Sequence, residues 1–265
     1  MILYKYYDVV GGRHALNSRK LGFRTPTFFN DPFELTALSN GNGPLGKQHT
    51  LRTQIQALKE QVVILSLTRS PLNPLMWAHY AREHTGIVIA YDVSGDFLNS
   101  QDYNLIPADG GDVIYTHTKS PFNLTPQTMQ ALLNVYQQGF GAPGPATYEH
   151  QAIARRLFLT KHASWVYEEE VRVVKIAHSL FDEEHLFQGD PFRANDTGGH
   201  LPEGLHLYEK QIPVRGVYLG VKNKLLRDPL ERSNLEALAC PIYQLEVDDA
   251  SWQLVAKLTD FVNVG

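Results

Sequence analysis

Val62–Asp92 reads VVILSLTRSPLNPLMWAHYAREHTGIVIAYD, and this stretch decides the fold class. The run Val62–Thr68 is apolar without alternation, which predicts a strand covered on both faces. Gly86–Asp92 (GIVIAYD) reads the same way. Between them, Asn73 is an N-cap and Pro74 occupies the first helical position, where its missing N–H costs nothing. The helix is expected to run to about His84, with Gly86 as its left-handed stop.

Outward from this core, Ile2–Tyr7 predicts a tyrosine-rich first strand. Gly22 to Phe29 predicts a second, bent at Pro26. Thr50–Glu60 carries Leu51, Ile55 and Leu58 on one helical stripe. Asp112–His117 predicts a short strand, 126–138 and roughly 146–162 predict helices, and Glu168–Ile176 predicts a further strand. His206–Ile212, Val214–Val221, Ile242–Val247 and Trp252–Val255 complete the strands, with a helix near Pro229–Ala239. The stretches 39–47 and 181–204 read as loops. Strands and helices do not alternate strictly, so the expectation is an α+β fold with a mixed, mostly antiparallel central sheet flanked by helices, in one domain over residues 1–265.

Hydrophobic residues make up 43% and charged residues 20%, enough to bury a full core. A net charge of −4 argues against a strongly electrostatic nucleic-acid binder. The single cysteine, Cys240, excludes an internal disulfide framework and a cysteine-based zinc site. No charged leader followed by an apolar run and no long apolar stretch is visible, so the expected location is cytoplasmic, without a membrane. The 11 histidines are scattered; those in the central helix are five apart, not four as in HExxH, and no metal site is predicted. GxSxG, P-loop and GxGxxG patterns are absent.

Three segments mix polar groups with apolar walls. FFNDPFE, Phe28–Glu34, reads either as a binding turn using Asn30, Asp31 and Glu34 or as an Asx-turn with a capping box. NPLMWAHYAREH, Asn73–His84, places Trp77, Tyr80, Ala81 and His84 on one stripe, so Trp77 or Tyr80 is either a stacking wall for a ring ligand or plain packing. WVYEEEVRVVKI, Trp165–Ile176, puts Glu168, Glu170 and Arg172 on one strand face by alternation. That ladder is either solvated and worth little, or buried and paired for use on a ligand.

LYKY at Leu3–Tyr6, FNDPFE at Phe29–Glu34 and the stretch Leu65–Asp92 together resemble the bacterial domain-of-unknown-function family 2971. So do Lys161, Trp165, Tyr167, Glu168, Glu170 and Arg172 in the pattern K-x3-W-x-Y-E-x-E-x-R, and VYLG at Val217–Gly220. The polar loop 181–204 departs from that pattern. The layout also bears a distant resemblance to ADP-ribosyltransferases. That resemblance implies NAD as co-substrate, Glu170, Glu168 and Arg172 as the catalytic group, and Lys5, Tyr4, Asn30, Asp31, Trp77 and Tyr80 as cofactor contacts. It is expected to be an NAD-using transferase or hydrolase. The alternatives are a non-enzymatic nucleotide- or protein-binding module in stress, toxin or phage-defence systems, and a metal-dependent nucleic-acid enzyme using Asp31, Glu34 and the 168–170 acids.

Overall fold

A computed structural model describes residues 1–39, 45–101, 104–121, 125–139, 148–176 and 203–259. The predicted loop 181–204 falls almost wholly outside the described residues. The fold is α+β. One nine-stranded sheet contains β1 (Ile2–Tyr7), β2 (Lys20–Arg24), β4 (Val62–Thr68), β5 (Ile87–Asp92), β9 (Glu170–Ile176), β10 (Leu205–Gln211), β11 (Val214–Leu219), β12 (Ile242–Val247) and β13 (Leu254–Leu258). Only β11 and β12 pair parallel within it. Two small parallel pairs join β3 (Leu38–Ser39) to β7 (Ser120–Pro121), and β6 (Ile114–Thr116) to β8 (Thr160–His162).

β4 is the trunk. Its register with β9 is continuous from Val62–Ile176 to Thr68–Glu170. Its other edge is divided: Ile64 pairs with Arg24 of β2, and Thr68 pairs with Tyr4 of β1. Every β4 residue except Ser66 is buried, as the uninterrupted apolar run requires. The outer edge of β9 is closed by the segment from Ile106 to Val113. Main-chain N–H groups of Arg172 and Val174 donate to Gly111 and Ile106 carbonyls at 2.8 and 2.9 Å.

The two faces of the sheet are covered differently. On one, Leu65, Leu67, Ile89, Val171 and Val173 pack with Leu16 of α1 (Val9–Ser18), Phe97 of α4 (Asp96–Asn99) and Leu235 of α7 (Pro229–Glu236). On the other, two apolar clusters stand apart. Ile64 and Val174 lie under α2 (Leu45–Gln61), α5 (Pro126–Gly139) and α6 (Tyr148–Phe158). Tyr6 and Val88 lie under Met76, Trp77 and Ala81 of α3 (Pro74–Tyr80) and the residue after it. Between the clusters the same face carries Ser66, Thr68, Glu170 and Arg172, by strict alternation from Ile64 and Val174.

Several predicted boundaries shift. The second strand stops at Arg24, and Pro26–Phe28 forms a 3-10 turn because proline cannot donate to a ladder. α3 ends at Tyr80, not near His84. Arg82, Glu83 and His84 all adopt positive φ (45°, 55° and 67°), so the left-handed stop is spread over three side-chain-bearing residues. Gly86 is needed for proximity instead: a Cβ there would lie 2.1 Å from the Tyr7 carbonyl oxygen.

Gly111 is bound by the same kind of contact, since its Cβ would sit 2.0 Å from the Arg172 carbonyl oxygen. Gly111→Ala is expected to lower stability by about 2–3 kcal/mol through overpacking and loss of the β9 edge bonds. Gly95→Ala, where an added Cβ meets nothing within 4 Å, should change stability by less than about 1 kcal/mol. Urea unfolding of the two variants checks the contrast.

Candidate functional site

The polar seam is organised by Arg172, which is fully buried (0% exposed). A guanidinium carries five N–H donors in a fixed fork, and all five are used. Nη1 donates to Glu34 Oε1 at 2.6 Å and to the Phe158 carbonyl at 2.7 Å. Nη2 donates to Glu34 Oε2 at 3.0 Å and to Glu170 Oε2 at 3.1 Å. Nε donates to Glu170 Oε1 at 2.9 Å. Two buried carboxylates are thus each gripped by both oxygens. Burial opposes the guanidinium charge, but Glu170 and Glu34 override it and hold its pKa above the ordinary value.

Glu170 lies next to Arg172 on one strand face, as alternation predicts. Glu168 does not continue the ladder. It ends a 3-10 turn, Ala163–Glu168, and Glu169 follows with φ 44°. That left-handed residue breaks the alternation and swings Glu168 off the β9 line. Lys161 then bridges the pair, its Nζ 2.5 Å from Glu168 Oε2 and 3.2 Å from Glu170 Oε2. Arg172 makes no ion pair with Glu168. The Tyr80 hydroxyl donates to Glu168 Oε1 at 2.5 Å, and the exposed Asn30 side chain bonds that hydroxyl in turn. A hydrogen-bond path therefore leads from the surface to a carboxyl group that is only 4% exposed.

The two glutamates are driven in opposite directions. For Glu170, burial raises the pKa, but Arg172 and Lys161 outweigh it and bring it down to about 2. For Glu168, burial and then the Glu170 charge raise the pKa, with Lys161 and Tyr80 only partly opposing them. Tyr80 is held well above the usual phenol range by its own burial and by Glu168. For Lys161, burial works against the charge, and Glu170 and Glu168 reverse the balance and raise the amine. Separation of two neighbouring carboxyl groups in this way is the physical mark of distinct acid and base roles.

Rings stand beside Glu168, those of Trp165 and Tyr167 partly buried and that of His79 exposed. Trp165 and Tyr167 lie 6.1 Å apart at 39°, His79 lies 6.0 Å from Tyr167 at 36°, and Lys161 Nζ is 4.9 Å from the Trp165 ring centroid. The sequence offers Trp77 or Tyr80 as a stacking wall. Trp77 itself is 0% exposed, and its indole N–H closes on the Pro71 carbonyl at 2.8 Å, so it is a core residue with no face for a ligand.

The remaining expected contacts divide. Asp31 is the Asx-turn of the structural reading: it is buried and its Oδ1 accepts from Phe33 N–H at 2.9 Å. Lys5 lies on the opposite strand face from Tyr4 and donates to the Ser66 carbonyl at 3.0 Å. Burial brings its pKa down to about 8 against the Glu170 charge. It adjoins the network without opening to a ligand. Tyr4 packs edge-on against Tyr218 at 5.8 Å, inside the α3 cluster.

Sequence reasoning assigned no site role to Tyr115 or Ser66, and gave Lys161 only as part of a family pattern. The Tyr115 hydroxyl accepts from Glu170 N–H at 2.8 Å, and the Ser66 hydroxyl bonds the Glu170 carboxylate. A serine inside the apolar run of β4 was the available signal for Ser66. Among the described residues no group of His, Cys, Asp and Glu is arranged to hold a metal ion.

Arg172→Ala strands Glu34 and Glu170 in the interior, and denaturant unfolding should show a loss of about 3–5 kcal/mol, against under about 1 kcal/mol for a solvated ladder. Glu170 also sets the acid limb of stability. Its folded pKa lies below the usual value for a glutamate of about 4.3, so its contribution is full above that pH and is lost as pH falls toward about 2. Glu170→Gln should therefore be less stable at neutral pH and should lose less on acidification than the parent. Thermal melts from neutral pH down to about pH 2 check both.

Residues 76–173, from within α3 to within β9, match the model of a family described as a protein of unknown function (DUF2971). No curated protein and no solved structure matches the chain. The match supports the resemblance to that family across the segment that carries Tyr80, Lys161, Glu168, Glu170 and Arg172.

Proposed function

We propose that the chain is an enzyme that breaks the nicotinamide–ribose bond of NAD, passing ADP-ribose to an acceptor or to water, with Glu168 as the working carboxyl group. The carrying observation is the pair Glu168 and Glu170, bridged by Lys161 yet driven to opposite protonation behaviour, beside half-buried rings. Glu170, Glu34 and Arg172 saturate one another, so their role is positional. Glu168 is tied to a partly exposed side chain, Tyr80, which in turn bonds the exposed Asn30.

Cleavage of such a bond passes through an oxocarbenium-like state. The bonding electron pair leaves with the nicotinamide, which departs neutral. A carboxylate beside the ribose stabilises the positive charge left behind. Burial and the Glu170 charge raise the Glu168 pKa, and the Tyr80–Asn30 path connects its carboxyl group to the surface. Once ionised, it accepts the proton of the attacking hydroxyl or water. Tyr167, Trp165 and His79 offer flat faces to the nicotinamide or adenine ring. Bacterial and defence or toxin associations belong to this same reading, as does NAD as its co-substrate.

A second reading, a non-enzymatic nucleotide- or protein-binding module, draws on the near-complete burial of Glu168. The metal-dependent nucleic-acid reading asks Glu34 and Glu170 for oxygens that Arg172 and Lys161 already engage, and we do not pursue it.

Titration calorimetry with NAD and a nicotinamide-release assay separate the two retained readings. The enzyme reading expects binding at or below millimolar NAD, release of nicotinamide, and at least about a hundredfold loss of rate in Glu168→Gln with the fold and NAD binding kept. Binding without release in the parent protein leaves the module. Neither binding nor release removes NAD from consideration.

A further inference from the structure

An open pocket of about 500 Å³ lies between β12 and the turn that follows β11. Its volume is that of a small-molecule site. Val221, Leu226, Leu245 and Val247 give it apolar walls, and Gln244 and Arg227 add polar ones. Val247 is 62% exposed, so part of this apolar surface faces water.

The walls are held by side-chain amides. Gln244 Nε2 donates to the Gly220 carbonyl at 2.8 Å. Asn223, also in the lining, donates to the Thr85 and Gly86 carbonyls at 2.7 and 2.9 Å. Behind the lining, the left-handed turn Arg82–His84 meets the residues that follow the VYLG strand end. Lys222 N–H donates to the His84 carbonyl at 3.0 Å, and a Cβ on Gly220 would lie 2.2 Å from that same oxygen. Three consecutive left-handed residues with side chains persist only where their surroundings over-determine them.

The charges choose the ligand. Glu246 is already paired with Lys257. Arg227 is exposed, and among the described residues it has no carboxylate partner. One guanidinium fork beside apolar walls matches one carboxylate carrying a hydrocarbon chain. A dianion such as phosphate would meet the Glu246 carboxylate with no second free cation among the lining residues.

From these features we infer that the cavity binds a small monocarboxylate with a short apolar chain, its carboxylate on Arg227 and its chain against Val221, Leu226 and Val247. The site is independent of the NAD reading, since it shares no lining residue with the Glu168 network.

The test is calorimetry on the full chain with hexanoate and acetate as probes. Hexanoate is expected to bind at least about tenfold more tightly than acetate, because its extra methylene groups are buried. Arg227→Ala, at an exposed position that the fold does not need, should weaken hexanoate at least about tenfold. Glu168→Gln should leave it unchanged. Equal binding of the two probes, or hexanoate binding to Arg227→Ala as to the parent, overturns the assignment. So does the absence of binding at millimolar hexanoate, with unaltered melting curves confirming that each protein is folded.

Discussion

The guanidinium of Arg172 is the constraint around which the sheet face is arranged. It enters the interior with full charge, and a charge that size is tolerated there only when every donor is met. Five donors require partners from three separated parts of the chain: Glu170 on its own strand, Glu34 after the Asx-turn, and the Phe158 carbonyl at the end of α6. Asp31 fixes the turn that delivers Glu34. Gly111 then lets the covering loop reach the Arg172 main chain. A hydrophobic residue at position 172 would need none of this and would pack against Ile64 and Val174. The ion network therefore does not serve stability alone; it fixes the geometry of the groups beside it.

Glu168 is the group that benefits. Because Arg172 spends its donors on Glu34 and Glu170, only Lys161 and Tyr80 remain for Glu168. Because Glu170 stays ionised nearby, its charge pushes the Glu168 pKa upward. A carboxylate pinned by arginine and a neighbour denied that arginine is a simple way to obtain two acids of different strength. The left-handed Glu169 takes Glu168 off the strand line to where Lys161 and Tyr80 meet it.

The sequence makes the strands of the fold legible wherever both faces are apolar. Val62–Thr68 and Ile87–Asp92 appear as read, because continuous apolar runs have no other use in an α+β chain. Helix ends were less legible. The Asn73 cap is local chemistry and holds as expected, whereas the left-handed turn at 82–84 depends on Lys222 and Asn223, more than a hundred residues away. Of the candidate site, the motif WVYEEEVR contained three of its central groups, and FNDPFE supplied Glu34. Alternation alone left open whether the glutamates faced water or the interior, and it had no means of registering the kink at Glu169. Trp77 misled for an understandable reason: a stripe of aromatic residues on a helix looks the same whether it faces a ligand or a core. Only the position of Pro71, which takes the indole proton, decides.

Charge counting ties the network together. Glu34, Glu168 and Glu170 carry three negative charges when ionised, and Arg172 and Lys161 carry two positive ones, leaving one negative charge in excess. That excess is met in one of two ways. Lys5, beneath the network on the Ser66 carbonyl, holds its proton with a pKa brought down to about 8. Alternatively Glu168, whose pKa is raised, takes a proton itself. Burial makes an unmet charge expensive, and the charge that supports the Lys5 proton is that of Glu170. Lys5 lies on the other strand face and touches no ligand surface. Yet it adjoins the site electrostatically, through the Glu170 charge.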